Sequence, residues 1–254
     1  MKKPGIALLV AMMGAMLFVG SAFATPIITT NTRPVPVQPA FSGEPTLHSC
    51  IGQIFSTSPP NVVTDQSPAA MWGAALSPMT TIPTLIFEYT SNAASQKFGI
   101  WFGSDTSSIY TYDIFKGPAI GVGIGFPTHA GLEIVGNTIS VFAFDCAMVN
   151  CGVATDSHIT ASAFGFYLDL GNGTKYYTAD QLNGGTARSL AITDASGTNW
   201  AFAFEDGSDF DYQDMVVKVE SIKATTAAPE PGTLLLLASG LAGLGGIAWR
   251  HRRG

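Results

Sequence analysis

The sequence predicts an all-β fold, a β-sandwich or jelly roll, preceded by a signal peptide and followed by one C-terminal transmembrane helix. Three observations predict it. Runs rich in β-branched and aromatic residues are separated by Gly, Asn, Asp and Ser about every ten residues, the spacing of short strands and turns. Between the two ends, only residues 68–76 carry anything resembling a 3.6-residue apolar period. A hydrophobic content of 46% is ample for a core and excludes intrinsic disorder.

Residues 1–24 have the plan of a secretory signal. Lys2 and Lys3 form a basic start, residues 6–19 are apolar, and Ala22-Phe23-Ala24 supplies the small-x-small cleavage pattern, so cleavage is predicted after Ala24. Residues 25–45 hold prolines at 26, 34, 36, 39 and 45, which predicts an extended lead-in outside any sheet centre. The domain is expected over 46–223. Its predicted strands are 84–90, 98–102, 109–115, 132–135, 138–144, 163–170, 175–178, 189–193, 199–205 and 215–221. In one of them Trp200, Phe202 and Phe204 fall on one face and Ala201, Ala203 and Glu205 on the other. Residues 224–228 form a short linker. Residues 229–254 open with Pro229-Glu230-Pro231, continue through an apolar stretch at 233–249 and end on Arg250, His251, Arg252 and Arg253. As a helix that stretch reaches ~26 Å, the short end of what spans a bilayer. Its basic end is expected to stay cytoplasmic, which puts the domain outside the inner membrane.

Charge narrows the partners. Without residues 1–24 and 229–254 the chain carries seven Lys and Arg against seventeen Asp and Glu, a net charge of −10. Nucleic acid is excluded as a partner, because phosphate binding needs a basic footprint. Export into an oxidising compartment predicts a small disulfide loop between Cys146 and Cys151. Cys50 is left over, with burial, pairing in trans and competition for the other two all open. No nucleophile elbow, zinc-protease helix or phosphate loop occurs. His48, His129 and His158 lie far apart. Glu88 and Glu133 would make a glycosidase pair only if the fold brought them about 5–9 Å apart. Trp72, Trp101 and Trp200 are expected mostly in the core.

The chemically pointed segment runs from Glu205 to Asp214, where five carboxylates meet no cation: Glu205, Asp206, Asp209, Asp211 and Asp214. Such density is relieved by water and salt or by a bound cation. Closely spaced oxygen ligands suit Ca²⁺, although Gln213 and the missing Gly and Glu exclude an EF-hand. A Ca²⁺ site and a solvated acidic hairpin both stay open.

Two resemblances add to this. Pro229-Glu230-Pro231, the apolar stretch and the Arg-rich end together resemble the PEP-CTERM sorting signal. That resemblance implies processing by an exosortase, transient anchoring in the inner membrane, and a Gram-negative host that makes exopolysaccharide. Residues 164–221 look like the end of a bacterial surface domain of unknown function. The matching positions are Tyr176, Tyr177, Thr178, Leu182 and Asn183, then Phe204, Glu205, Asp206, Asp209, Asp211, Tyr212 and Asp214. Gln213 stands where Asn is usual, and the linker before Asp209 is shorter. This resemblance implies a Ca²⁺ set at Asp206, Asp209, Asp211 and Asp214. Together the readings predict an exported, non-catalytic surface or extracellular-matrix protein associated with exopolysaccharide. The alternatives are a carbohydrate-active hydrolase with paired carboxylates and an adhesive module without a specific ligand.

Overall fold

The computed structural model describes residues 27, 29–90, 92–117, 129–136, 138–144, 156–160 and 163–225. The cleavage residues Ala22 and Ala24, the cysteines Cys146 and Cys151, the motif Pro229-Glu230-Pro231 and the stretch 233–249 lie outside the described residues. Among the described residues no helix is long and apolar enough to cross a membrane.

The chain is all-β, as the strand spacing predicts, with antiparallel pairing throughout the described ladders. In chain order come helix α1 (Leu47–Ile54), β1 (Trp72–Ala74), β2 (Met79–Thr81), β3 (Thr84–Glu88), β4 (Lys97–Phe102) and β5 (Tyr110–Lys116). Next are β6 (His129–Val135), β7 (Thr138–Phe144), β8 (Asp156–Thr160), β9 (Gly165–Asp169) and β10 (Lys175–Tyr177). The remaining strands are β11 (Ser189–Thr193), β12 (Trp200–Phe204), β13 (Met215–Val219) and β14 (Ile222–Ala224). The large sheet has the order β11-β12-β13-β3-β6-β7-β8, with β2 also on β6. A smaller sheet runs β10-β9-β4-β5, and β1 pairs with β14.

The two larger sheets face each other across an aromatic core. Phe166 of the small sheet lies 4.4 Å from Phe202 of the large one, centroid to centroid, and Phe98 lies 6.2 Å from Phe204. Trp72 meets Trp200 and Phe202 edge-on in the same cluster. All three tryptophans of the domain are therefore core residues, at 0%, 0% and 3% exposure for Trp72, Trp101 and Trp200. The predicted alternation in β12 is present, but both of its faces are buried. Ala201 and Ala203 lie with Leu47, Cys50 and Ile51 of α1, so the helix covers the outer face of the large sheet.

The only helical period expected, at 68–76, is extended instead, and the α-helix sits earlier at Leu47–Ile54. Residues 68–76 are held by backbone pairing on both sides: Ala70 N–H donates to the Thr29 carbonyl at 2.9 Å, and Trp72 N–H to the Phe164 carbonyl at 2.7 Å. Those bonds, in a segment apolar all round, override a weak period. The proline-rich lead-in is extended and pinned to the domain. The Arg33 guanidinium, 2% exposed, bonds both carboxylate oxygens of Asp180 at 2.6 and 3.0 Å, and Gln38 N–H donates to the Phe210 carbonyl at 2.9 Å.

Candidate metal centre

Strand β12 runs straight into the acidic turn, so its two-residue period decides where each carboxylate goes. Glu205 continues the outward face of Ala201 and Ala203. Asp206 continues the inward face of Phe202 and Phe204. Between Asp209 and Tyr212, acidic and aromatic residues alternate, with Phe210 and Tyr212 both in the left-handed region at φ 58°. The aromatics anchor the turn. Tyr212 is 1% exposed and donates to the Ala187 carbonyl at 3.2 Å, while the Arg188 guanidinium lies over the Phe210 ring and bonds the Gly207 carbonyl.

The carboxylates of Glu205, Asp209, Asp211 and Asp214 thereby converge, each giving an oxygen within 4.8 Å of the others. Three of the four residues in the sequence-based Ca²⁺ set, Asp209, Asp211 and Asp214, are in this cluster. Asp206 is not, and Glu205 takes its place. The reason is the strand alternation: Asp206 turns toward the small sheet, where its Oδ2 accepts from Thr90 Oγ1 at 2.5 Å, Gln96 Nε2 at 2.5 Å and Asn92 Nδ2 at 3.3 Å. Its backbone N–H donates to Asp214 Oδ2 at 2.6 Å.

The electrostatics match a crowded anionic site. Burial, then Asp209, pushes the Glu205 carboxyl above its ordinary range. Burial, with Asp206, Glu205 and Asp211 behind it, pushes Asp214 up as well. Asp211 is raised by burial first and by Asp209 and Glu44 after it, against the hydrogen bonds from Gln213. Among the described residues no salt bridge reaches any member of the set. Two buried oxygens in this region lack hydrogen-bond partners: Oε2 of Glu205, 0% exposed, and Oε1 of Gln213, 1% exposed. Gln213 Nε2 is committed to Asp211 Oδ2 at 2.9 Å and Glu44 Oε2 at 2.8 Å. The donor set of carboxylates and an amide oxygen, without nitrogen or sulfur, fits Ca²⁺.

Sequence reasoning missed the roles of Glu205, Gln213, Glu44, Glu88 and Gln96. The alternation of β12 was the available signal for Glu205; nothing local marked the others. Glu88 is 1% exposed, and burial followed by Asp206 and Asp214 pushes its carboxyl up to about 9. It cannot pair with Glu133. Thr84 faces His129 in an antiparallel pair, so the two glutamates lie four residues away in opposite directions, roughly 25 Å apart. An open groove holds Phe55, Asp65, Asp194, Lys218 and Glu220. There hydrogen bonds from Asn61 and Thr64 lower Asp65, and turn bonds from Ser196 and Asn199 outweigh burial to lower Asp194. Cys50 is a buried free thiol, pushed up to about 11 by burial, which makes it inert.

Fold and site thus define a β domain whose two larger sheets face each other, with a candidate cation centre at one end of the large sheet. Residues 227–253 match the PEP-CTERM protein-sorting motif, so the chain carries the mark of an exosortase-sorted protein, anchored in the membrane before cleavage. No curated protein and no solved structure matches the chain.

Proposed function

We propose that the chain is an exported, non-catalytic surface or extracellular-matrix protein, released from its membrane anchor by an exosortase, whose acidic turn takes Ca²⁺. The sorting-motif match at residues 227–253 carries the reading. The signal sequence at residues 1–24 and the apolar stretch at 233–249 supply the two membrane steps that such sorting needs. The four converging carboxylates, with buried unpartnered oxygens among them and beside them, support the calcium part. Exopolysaccharide is the partner class that this sorting route implies. One exposed stacked pair supports it, Tyr110 at 63% exposure over Phe102, since sugar rings stack on aromatic faces.

Replacing Pro229, Glu230 and Pro231 by alanine tests the sorting. The variant is expected to stay in the membrane fraction at a higher mass than the released wild type. Release unchanged in amount and mass would remove the exosortase from the reading.

A further inference from the structure

The dipeptide Asn-Gly occurs at Asn172-Gly173 and again at Asn183-Gly184. Glycine after asparagine leaves the following backbone nitrogen unshielded by a Cβ, so that nitrogen can approach the asparagine side-chain carbonyl. The fold gives the two pairs opposite surroundings. Asn172-Gly173 lies in the turn from β9 to β10, closed by Leu170 N–H donating to the Thr174 carbonyl at 3.0 Å, and residues 171–174 are all exposed. Gly173 sits in the left-handed region at φ 93°, and apart from its chain neighbours nothing lies within 4 Å of where a Cβ would stand.

Asn172 Oδ1 accepts from Thr174 N–H at 2.9 Å. That bond folds the side-chain carbonyl over the chain that follows it and brings Cγ toward Gly173 N. The same N–H is a fixed donor to the oxygen on which negative charge develops when the carbonyl is attacked. Among the described residues neither Gly173 N–H nor Asn172 Nδ2 has a hydrogen-bond partner. Asn183 differs at each of these points. Its Oδ1 accepts from Tyr177 N–H at 2.9 Å and its Nδ2 donates to the Tyr177 carbonyl at 2.8 Å, so the side chain is held against β10. Gly184 N–H is also committed, to the Asp180 carbonyl at the end of a short 3₁₀ turn over Asp180–Asn183. Attack by Gly184 on Asn183 must first break these bonds.

We propose that Asn172 is a site of spontaneous deamidation and that the fold protects Asn183 from the same reaction. Gly173 N attacks Asn172 Cγ. The new N–C bond forms, the Cγ–Nδ2 bond breaks, the proton of Gly173 N is given up and ammonia leaves. The cyclic imide then takes up water, which opens one carbonyl or the other to leave aspartate or isoaspartate at 172. The balance is asparagine and water to acid and ammonia, with no oxidant, metal or enzyme. Isoaspartate places an extra methylene in the backbone between β9 and β10, in a turn tied to the 90–97 loop where Ser95 Oγ donates to the Leu170 carbonyl at 3.1 Å. Either product adds a negative charge near Asp169, whose Oδ1 accepts from Gly171 N–H at 2.8 Å. The proposal is independent of the cation centre.

Peptide mapping of the purified full chain, aged in mildly alkaline buffer, tests it. Trypsin cuts after Lys175 and so puts the two asparagines on different peptides. In the folded chain the peptide ending at Lys175 is expected to gain about 1 Da at Asn172, as mixed aspartate and isoaspartate, at least about tenfold faster than residues 176–188 gain it at Asn183. In guanidinium chloride the two rates are expected to converge, because the bonds that hold Asn183 and Gly184 are gone. Asn172→Gln is expected to abolish the fast gain. Equal rates in the folded chain, or a faster Asn183, would overturn the proposal. A gap that persists undiminished in guanidinium chloride would do the same, since neighbouring sequence and not the fold would then set it. A folded chain that gains no mass at Asn172 while the unfolded chain does would show that the turn holds the reacting atoms apart, and would sink the assignment.

Discussion

Gly99 and Gly165 each lie beneath an aromatic ring of the neighbouring strand. Gly99 faces Tyr167, and Trp101 faces Gly165, across the β4–β9 pair. A Cβ on Gly165 would stand 2.6 Å from Trp101 Cζ2, and one on Gly99 would stand 2.5 Å from both Tyr167 Cζ and the Tyr112 carbonyl oxygen. That carbonyl belongs to the β4–β5 ladder, and Tyr167 is tied to Asp113 through its hydroxyl. Neither can yield cheaply. Gly99→Ala is therefore expected to lose about 1–3 kcal/mol to overpacking, despite the gain in chain stiffness that alanine brings. Urea unfolding measures it; a variant as stable as wild type would show that the ring above Gly99 is free to move. The tetrapeptides Phe98-Gly99-Ile100-Trp101 and Phe164-Gly165-Phe166-Tyr167 are alike in sequence. They are antiparallel neighbours, each supplying the glycine that the other's aromatic ring covers.

Helix α1 shows how an element escapes detection. Leu47, Cys50, Ile51 and Ile54 have helical spacing, and Thr46 caps the start by accepting from Ser49 N–H at 3.2 Å. The stretch is only eight residues long and carries Gly52, too little for local pattern to outweigh the surrounding turns. Its stability comes from the sheet face it covers. Ile51, 0% exposed among Leu190, Ala201 and Val216, is its central contact. Ile51→Ala is expected to cost about 2–5 kcal/mol in chemical unfolding. A cost under about 0.5 kcal/mol, the size of a surface change, would mean that the helix is not part of the cooperative unit. The ten predicted strands were legible because each is a β-rich run between turn residues. Strands β1, β2, β8 and β14 were not predicted; β1, β2 and β14 are three residues each, and only their partners define them.

At the scale of the whole molecule, the acidic turn links distant parts of the chain. Glu88 lies far in sequence from Glu205 and Asp214 yet crowds the same edge of the sandwich, and no single stretch could reveal that. The carboxylates at 205–214 were legible as a cluster. Their division between the two faces depended on the sheet, and Glu88 entered only through the bulge in β3, where the register against β13 shifts after Leu85. In the calcium-free protein this crowding should make stability depend on pH. Burial, then Asp206 and Asp214, raises Glu88 from 4.5 to about 9, and Glu205 and Asp214 shift in the same direction. A carboxyl with a raised folded-state pKa keeps its proton longer in the folded than in the unfolded chain. Its contribution to stability is whole below the unfolded value and is lost as pH rises toward the folded one. The melting temperature in EDTA should therefore fall between about pH 5 and 9, and Glu88→Gln should flatten much of that fall. If the acidic turn takes Ca²⁺ as proposed, the ion would reverse the balance, because it would bind the ionised carboxylates and displace their protons. Saturating calcium should raise the melting temperature most at the alkaline end, and Asp209→Ala with Asp211→Ala should reduce that rise. A melting temperature flat with pH in EDTA would mean that these carboxyls are solvated, and the case for a buried ion centre would fall with it.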